Sequence, residues 1–292
     1  MKKLSSILAL GCFLLAPAFA GADTKMEANV DFIYGMADSA YDAEGEKADL
    51  EGIDQSFMII NMGFNYAVMD GLVVGVDLPI VQNNLAVEAF GIDESTMFIG
   101  DPTLGAAYWH TLSDTMAVGG GLDVKLPLGK KADEDNMIPT TDEATHITAK
   151  ALFSMDPVEN LGIDLDAGYI VTIGGPAQQG ADGSELDSDL GDTLFANLYV
   201  GYSIGAITPR LGVHFSQTGD TSVDGTTAED SGNERLSISA EVDYDISDTM
   251  TVSAGLGANS INQGTNLPYG YALTAKNVTA GLAFGLGFSA AF

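Results

Sequence analysis

Polar and apolar residues alternate strictly in the last part of this chain. Between Val278 and Phe292 every second residue is apolar, and the residues between them are small or polar. Alternation of this kind places one face of a β-strand in an apolar medium and leaves the other face without bulk. Because Phe292 continues the apolar phase, the pattern indicates the closing strand of an outer-membrane β-barrel, with an aromatic ring at the lipid interface.

Segments with the same alternation recur along the chain and predict twelve strands. These segments are Ala28–Met36, Phe57–Val68, Leu72–Val81, Thr103–His110, Met116–Leu128, Thr145–Met155, Leu161–Ile173, Leu194–Tyr202, Ile207–Ser216, Leu236–Tyr244, Met250–Asn259 and Lys276–Phe292. Short turns follow the even-numbered segments and long loops follow the odd-numbered ones. We therefore predict an all-β fold, an antiparallel transmembrane β-barrel of about 12 strands with short periplasmic turns and long acidic extracellular loops.

Aromatic residues lie in the outward phase of every even-numbered segment, near its short-turn end. They are Tyr66, Tyr108, Phe153, Tyr202, Tyr244 and Phe292. A girdle of aromatic rings at the membrane interface predicts this placement. The alternative is a soluble β-sandwich or a lipocalin-like barrel that holds these rings in its core.

The N-terminal residues have the pattern of a secretory signal peptide. Lys2 and Lys3 precede the apolar stretch Leu4–Leu15, and Ala18–Ala20 provides a small-residue cleavage site. A lipoprotein signal at Cys12 is the alternative. We expect residues 1–20 to be the signal peptide and residues 21–292 to form a single barrel domain in the outer membrane of a Gram-negative bacterium.

The chain is strongly acidic, with a formal net charge of −30 from 41 acidic and 11 basic residues. This charge would repel phosphate and argues against nucleic acid as a partner. Many of the acids fall in the predicted loops Ala37–Gln55 and Gly174–Asp192, where solvated charge is the simplest interpretation. No metal or other cofactor is expected, because the spacings of calcium and zinc sites are missing.

Three kinds of partner are expected. Outer-membrane lipids and lipopolysaccharide would surround the barrel, the latter with loose bridging by divalent cations to the acidic loops. A terminal phenylalanine in the apolar phase resembles the recognition signal of the outer-membrane assembly machinery, which Phe292 would contact. A small-molecule solute would occupy the interior.

Charged side chains recur in the inward phase of the predicted strands. The candidates for the lumen or its constriction are Asp77, Asp123, Lys125, His146, Lys150, Asp164, Asp166, Arg210, His214, Glu241 and Asp243. On one interpretation they pair across neighbouring strands and fix the register. On the other they form a charged constriction that selects solutes.

One pair of residues raises the question of catalysis. His214 and Ser216 lie on one face of a predicted strand, with the spacing seen in outer-membrane phospholipase. Here that face points to the lumen, whereas a phospholipase needs its site toward lipid. We therefore assign no catalytic residue, and a membrane-embedded hydrolase is kept only as a remote alternative.

Two further features bear on how a solute would cross. Pro79 and Pro127 fall near the outer ends of upward strands, where each either ends the strand or breaks the wall and opens a sideways exit. Among the long loops, Gly174–Asp192 is the one we expect to fold into the lumen.

Two stretches carry a resemblance to a known family. They are residues 98–108, with Gly100-Asp101-Pro102-Thr103-Leu104-Gly105-Ala106-Ala107-Tyr108, and residues 119–129, which end in Lys125-Leu126-Pro127-Leu128-Gly129. They resemble the outer-membrane transporter family named for the meta-cleavage pathway of phenol degradation. The resemblance implies a passive channel for small solutes, by analogy hydrophobic or aromatic compounds. The family's usual base is replaced by Ala107. The alternative function is a plugged structural or surface-interaction barrel.

Overall fold

A computed structural model of the chain describes residues 26–42, 44–131, 138–176, 178–179, 185–257, 271–276 and 278–292. Twelve antiparallel strands form one closed wall. They are β1 (Met26–Tyr41), β2 (Ile53–Met69), β3 (Leu72–Val87), β4 (Ile92–Ile99 and Thr103–Ser113), β5 (Met116–Lys125), β6 (Thr145–Val158), β7 (Leu161–Ile173), β8 (Thr193–Tyr202), β9 (Ile207–Thr218), β10 (Asn233–Ser247), β11 (Met250–Leu256 and Tyr271–Lys276) and β12 (Val278–Ala291).

The wall closes between the first and the last strand. β1 pairs with β2 on one side and with β12 on the other. Met26 and Phe292 exchange both backbone hydrogen bonds, at 3.2 and 2.7 Å. No helix among the described residues is long and apolar enough to cross a membrane. The predicted all-β barrel is confirmed, while the predicted signal peptide 1–20 lies outside the described residues.

The eleventh strand is assembled from two pieces of chain. Met250–Leu256 pairs with the lower half of β10, and Tyr271–Lys276 pairs with its upper half. The strand predicted as Met250–Asn259 therefore ends earlier, at Leu256, and residues 271–275, which fell between two predicted strands, belong to the second piece. Gly257 accounts for the break, because it adopts a φ of +78° that ends the strand and donates its N–H to the carbonyl of Ala283 at 2.8 Å. Residues 258–270 lie outside the described part.

On the long-loop side several strands extend beyond their predicted ends. The segment between the predicted strands Leu72–Val81 and Thr103–His110, expected to be a long loop, is a hairpin. In it β3 and β4 pair as far as Val87 and Ile92 around a short 3₁₀ turn, Glu88–Phe90. Polar cross-strand pairs such as Asn84 with Ser95 hold it, which apolar alternation cannot reveal. Smaller strands in the loops are Lys47–Asp49, Gln178–Gln179, Glu185–Leu186, Ser188–Asp189, Ser222–Val223 and Thr226–Thr227.

Two of the short turns have the same local sequence and the same side-chain hydrogen bond. In the sequence Ser-Asp-Thr, the N–H of Thr115 donates to Ser113 Oγ at 3.3 Å, and the N–H of Thr249 donates to Ser247 Oγ at the same distance. Both turns also follow a shift in strand register. The hydroxyl satisfies a turn N–H that has no ladder partner, so the same local sequence ends two different hairpins.

The outer surface of the wall is apolar. Where the structure describes the side chains of a strand, exposed apolar ones alternate with buried inward ones through the membrane-facing part. Five of the six predicted girdle aromatics are exposed on this surface near the short turns, while Phe153 is half-buried.

Glycines on the inner face make room for large neighbours. A Cβ at Gly119 would lie 2.5 Å from the backbone oxygen of Tyr108 and 3.1 Å from the indole of Trp109. The adjacent Gly120 faces outward, and its Cβ would meet nothing closer than Lys150 O at 3.6 Å. The inward-facing Gly119 therefore lies in close contact with its neighbours, whereas the outward-facing Gly120 has free space around it.

This difference predicts opposite outcomes for two neighbouring substitutions. Gly119→Ala forces the β4–β5 contact apart and should lower the free energy of unfolding by about 1–3 kcal/mol. Gly120→Ala should change it by no more than about 0.5 kcal/mol. Urea titration of the refolded protein measures both. Equal losses would show that inner-face packing does not determine the effect.

Candidate functional site

The barrel interior holds a polar belt between two apolar clusters. One cluster consists of Ile33, Phe57, Ile59, Val81 and Ala283, toward the long loops. The other consists of Val73, Ala107, Trp109, Ala117 and Leu152, near the short turns. Sequence reasoning anticipated a polar inner face and missed both clusters. Ala107, where the family has a base, belongs to the second cluster, so a charge there would enter an apolar environment.

All eleven predicted lumen residues lie on the inner face of the wall. Eight of them are buried: Asp123, Lys125, Asp164, Asp166, Arg210, His214, Glu241 and Asp243. Asp77, His146 and Lys150 are half-buried. The structure gathers these residues into separate hydrogen-bonded groups rather than one ring.

The first group fastens a long loop to the inner wall. The buried Lys125 lies 2.6 Å from the Asp142 carboxylate and 3.7 Å from the Asp101 carboxylate. His146 Nε2 lies 2.7 Å from the same Asp142 oxygen. Asp142 thus joins β5 and β6 to the loop between them, and we call Asp101, Lys125, Asp142 and His146 the loop anchor.

Further contacts hold residues 138–144 of this loop against β3 and β4. Asn83 donates its side-chain amide to the carbonyl of Pro139 at 2.7 Å, and Thr140 donates its hydroxyl to the carbonyl of Ile99 at 3.0 Å. Thr141 donates to Asp101 at 2.8 Å. Because Asn83 lies in the inward phase of β3, the loop reaches over the interior from the long-loop side.

The expectation that Gly174–Asp192 folds into the lumen stays a prediction, and the described part of this loop contacts another long loop. There Ser188–Asp189 pairs with Ser222–Val223 of another long loop. Asp192 accepts hydrogen bonds from Tyr169 and from the N–H of Thr172, which hold it at the end of β7. Residues 177 and 180–184 of this loop lie outside the described residues.

The two family-like stretches meet at the loop anchor. Asp101, from the first stretch, accepts the N–H of Gly129 from the second stretch at 2.9 Å. A Cβ at Gly129 would lie 2.6 Å from the Thr140 carbonyl, so only glycine fits this close approach. Lys125 also lies in the second stretch. Asp101 and Asp142 were missed as candidates, although the Gly-Asp and Lys-Leu-Pro-x-Gly motifs marked their surroundings.

The two prolines have different structural roles. Pro127 follows the end of β5, so it marks a strand end. Pro79 lies within β3, opposite the interruption of β4 between Ile99 and Thr103, and its carbonyl accepts the N–H of Gly100 at 2.8 Å. This interruption frees Asp101 from the ladder and lets its side chain turn inward to the loop.

Electrostatics keep Asp142 charged. Burial alone would raise the pKa of Asp142, but the hydrogen bond from His146 and the positive charge of Lys125 outweigh it and hold that pKa below its ordinary value. The loop anchor therefore depends on an ionised carboxylate that bridges two bases.

Two further ion pairs cross neighbouring strands. Lys150 lies 2.6 Å from Asp123, as the pairing hypothesis for β5 and β6 expected. Arg210 pairs with Asp243 and lies 3.7 Å from Glu241, so one base serves two acids. Among the described residues, no group of three or more His, Cys, Asp or Glu is arranged to hold a metal ion.

His214 belongs to a chain of hydrogen bonds across four strands. Its Nε2 lies 2.8 Å from Ser239 Oγ and its Nδ1 lies 3.2 Å from Asn197 Oδ1, while Asn197 donates to Asp166 at 2.9 Å. His214 therefore contacts Ser239 on β10 rather than the Ser216 considered from sequence. All four members of this chain are buried in the interior.

The closed wall and its polar interior define the class: an outer-membrane β-barrel of twelve strands. The COG4313 outer membrane channel from Pseudomonas putida F1 has a similar structure, with a TM-score of 0.79 at 16% identity over 98% of this chain and 100% of that chain. The β domain of the Bordetella autotransporter Brka is less similar, with a TM-score of 0.53 at 11% identity over 92% and 100%. These likenesses concern the fold alone.

Sequence comparison gives the family. The profile of the family described as "Putative MetA-pathway of phenol degradation" matches residues 37–276. The chain belongs to this family, as the two stretches had suggested. No functionally curated protein matches the chain.

The loop anchor predicts a large difference between two lysines. Lys125→Met leaves the buried Asp101 without a base and Asp142 with His146 alone, so it should lower the free energy of unfolding by about 3–5 kcal/mol. Lys131→Met is the matched control, because Lys131 is 67% exposed beside Glu143 and its ion pair should contribute no more than about 1 kcal/mol. Urea titration in detergent measures both. Similar losses for the two variants would contradict the role of the loop anchor.

Proposed function

We propose that this protein is a passive outer-membrane channel for small solutes, with hydrophobic or aromatic compounds as the solute class. The observation that carries the proposal is the polar inner face of a closed barrel, with residues 138–144 held over it by the loop anchor and by hydrogen bonds to β3 and β4. A barrel with a purely structural role would not need a loop held over its interior. The described family and the channel fold support the proposal, and the family's link to phenol degradation supports the aromatic solute class.

A plugged structural or surface-interaction barrel is the second candidate. It is favoured by the low exposure of the inner charges, since Lys125 is 2% and Asp243 is 3% exposed. On this view the acidic loops would be the working part. The two candidates differ in whether the interior opens.

We propose transport rather than catalysis. His214 and Ser239 are hydrogen-bonded to each other, but both are buried and face the interior instead of lipid. A hydrolase would need access for a substrate and donors for a developing oxyanion. Loss of a measurable esterase activity in Ser239→Ala would argue against this choice.

Single-channel conductance of the refolded protein tests the proposal. Asp142→Asn removes the charge that joins Lys125 and His146 to the loop, so it should increase conductance relative to the parent protein. Lys125→Ala should act in the same direction, whereas Asp164→Ala changes the inner wall without releasing the loop. Swelling of liposomes in phenyl glucoside, a neutral aromatic solute that crosses bare lipid slowly, should be faster with the protein than without it.

Two results would decide for the plugged barrel. They are absence of current in the parent protein and in Asp142→Asn, together with liposome swelling no faster than in empty vesicles. The heat-modifiable gel shift of a folded barrel is the control that each variant has folded.

We also propose the surroundings of the barrel. Outer-membrane lipids and lipopolysaccharide would contact its apolar surface and its acidic loops. The assembly machinery would contact Phe292, whose ring is exposed in the outward phase next to the β1–β12 closure. Residues 1–20 would direct export and residues 21–292 would form the one domain.

A further inference from the structure

The negative charges inside the barrel are not evenly neutralised. Asp123 has Lys150, and the pair Glu241 and Asp243 shares Arg210. Asp31, by contrast, is buried, and the one hydrogen bond its carboxylate accepts within the described part of the chain comes from Asn29 at 2.9 Å. Asp77 forms no ion pair with any described residue. Asp31 and Asp77 are therefore among the inner carboxylates that form no ion pair with a described residue.

These two carboxylates lie on either side of one amide. Asp31 on β1 is directly opposite Asn61 on β2, and Asn61 is opposite Pro79 on β3, two residues from Asp77. Asp77 lies within electrostatic range of Asp31, and also of the ion pair between Asp123 and Lys150. A Cβ at Gly287, on the other neighbour of β1, would lie 2.6 Å from Asp31 Oδ1. Glycine therefore leaves space for this carboxylate.

Asn61 provides an independent sign that something binds here. It is 1% exposed, and within the described residues neither its Oδ1 nor its Nδ2 has a hydrogen-bond partner. A buried amide without partners costs about 1–3 kcal/mol for each unmet group. Its neighbours on β2, Ile59 toward the long loops and Gly63 toward the short turns, offer it no polar atom.

We propose that Asp31, Asn61 and Asp77 form a station for a small hydrated monovalent cation and make the interior cation-selective. The carboxylates and the Asn61 oxygen accept water or coordinate the ion, and the Asn61 amide binds water of its hydration shell. The three groups come from three strands and do not chelate, so binding is weak enough for the ion to leave, as conduction requires. A negative interior also raises the local concentration of cations. This inference rests on the proposed channel function.

The reversal potential in a tenfold KCl gradient tests the proposal. The parent protein should show a potential of the sign that K⁺ preference gives. The double variant Asp31→Asn with Asp77→Asn should move that potential toward zero. The matched control is Asp54→Asn, the same change at an exposed position on β2, which should leave the potential unchanged.

A second variant separates binding from folding. Asn61→Leu keeps the branched shape of the side chain and removes the unpartnered amide, so it should not lower the urea midpoint of unfolding, yet it should reduce K⁺ conductance. A loss of stability with unchanged conductance would make Asn61 a structural residue and overturn the station.

The remaining outcomes are distinct. Current without cation preference, or a preference that survives the double variant, overturns the cation station and leaves the channel standing. No current in either the parent or Asp142→Asn, with no liposome swelling, overturns both proposals.

Discussion

The architecture of this protein depends on one constraint, which is that backbone N–H and C=O groups in lipid must be hydrogen-bonded within the protein. A sheet can meet this demand in hydrocarbon only by closing on itself, and here β1 and β12 close it, down to the mutual bonds of Met26 and Phe292. Closure leaves the side chains with two environments. The outer ones are apolar because they face lipid, and the inner ones are free to be polar.

On the inner face, large polar side chains pack against small residues of the neighbouring strand. Large side chains lie over glycines of the neighbouring strand, as Lys150 does over Gly121, where a Cβ would approach its Cε to 2.8 Å. This pairing lets long charged chains lie flat and reach a partner one strand away. The result is a dense inner layer in which many charges, those of the loop anchor included, are matched locally, whereas the carboxylates of the cation station form no ion pair with a described residue.

Much of the fold could be predicted from sequence because a strand that faces lipid must carry apolar residues at every second position. The strand β7 was placed at its observed bounds for this reason, and the inward phase of residues such as Arg210 and Glu241 followed from the same rule. Strands that extend beyond the membrane into water need no apolar residues on their outer face. The hairpin around Glu88–Phe90 and the upper piece of β11 were therefore missed. Asp142 could not be found because its role depends on a loop folding back onto Lys125, a tertiary contact that no periodicity encodes.

The interrupted strand β4 has a consequence for how the family can vary. Asp101 turns inward only because the ladder breaks beside Pro79, and it then contacts Thr141 and Gly129 while its charge lies near Lys125. A change of charge at residue 101 is tolerable only with compensating changes at residues 125 and 142. These three positions are distant in sequence, but substitutions at them should occur together among relatives. The neighbouring loop residues should vary independently of them.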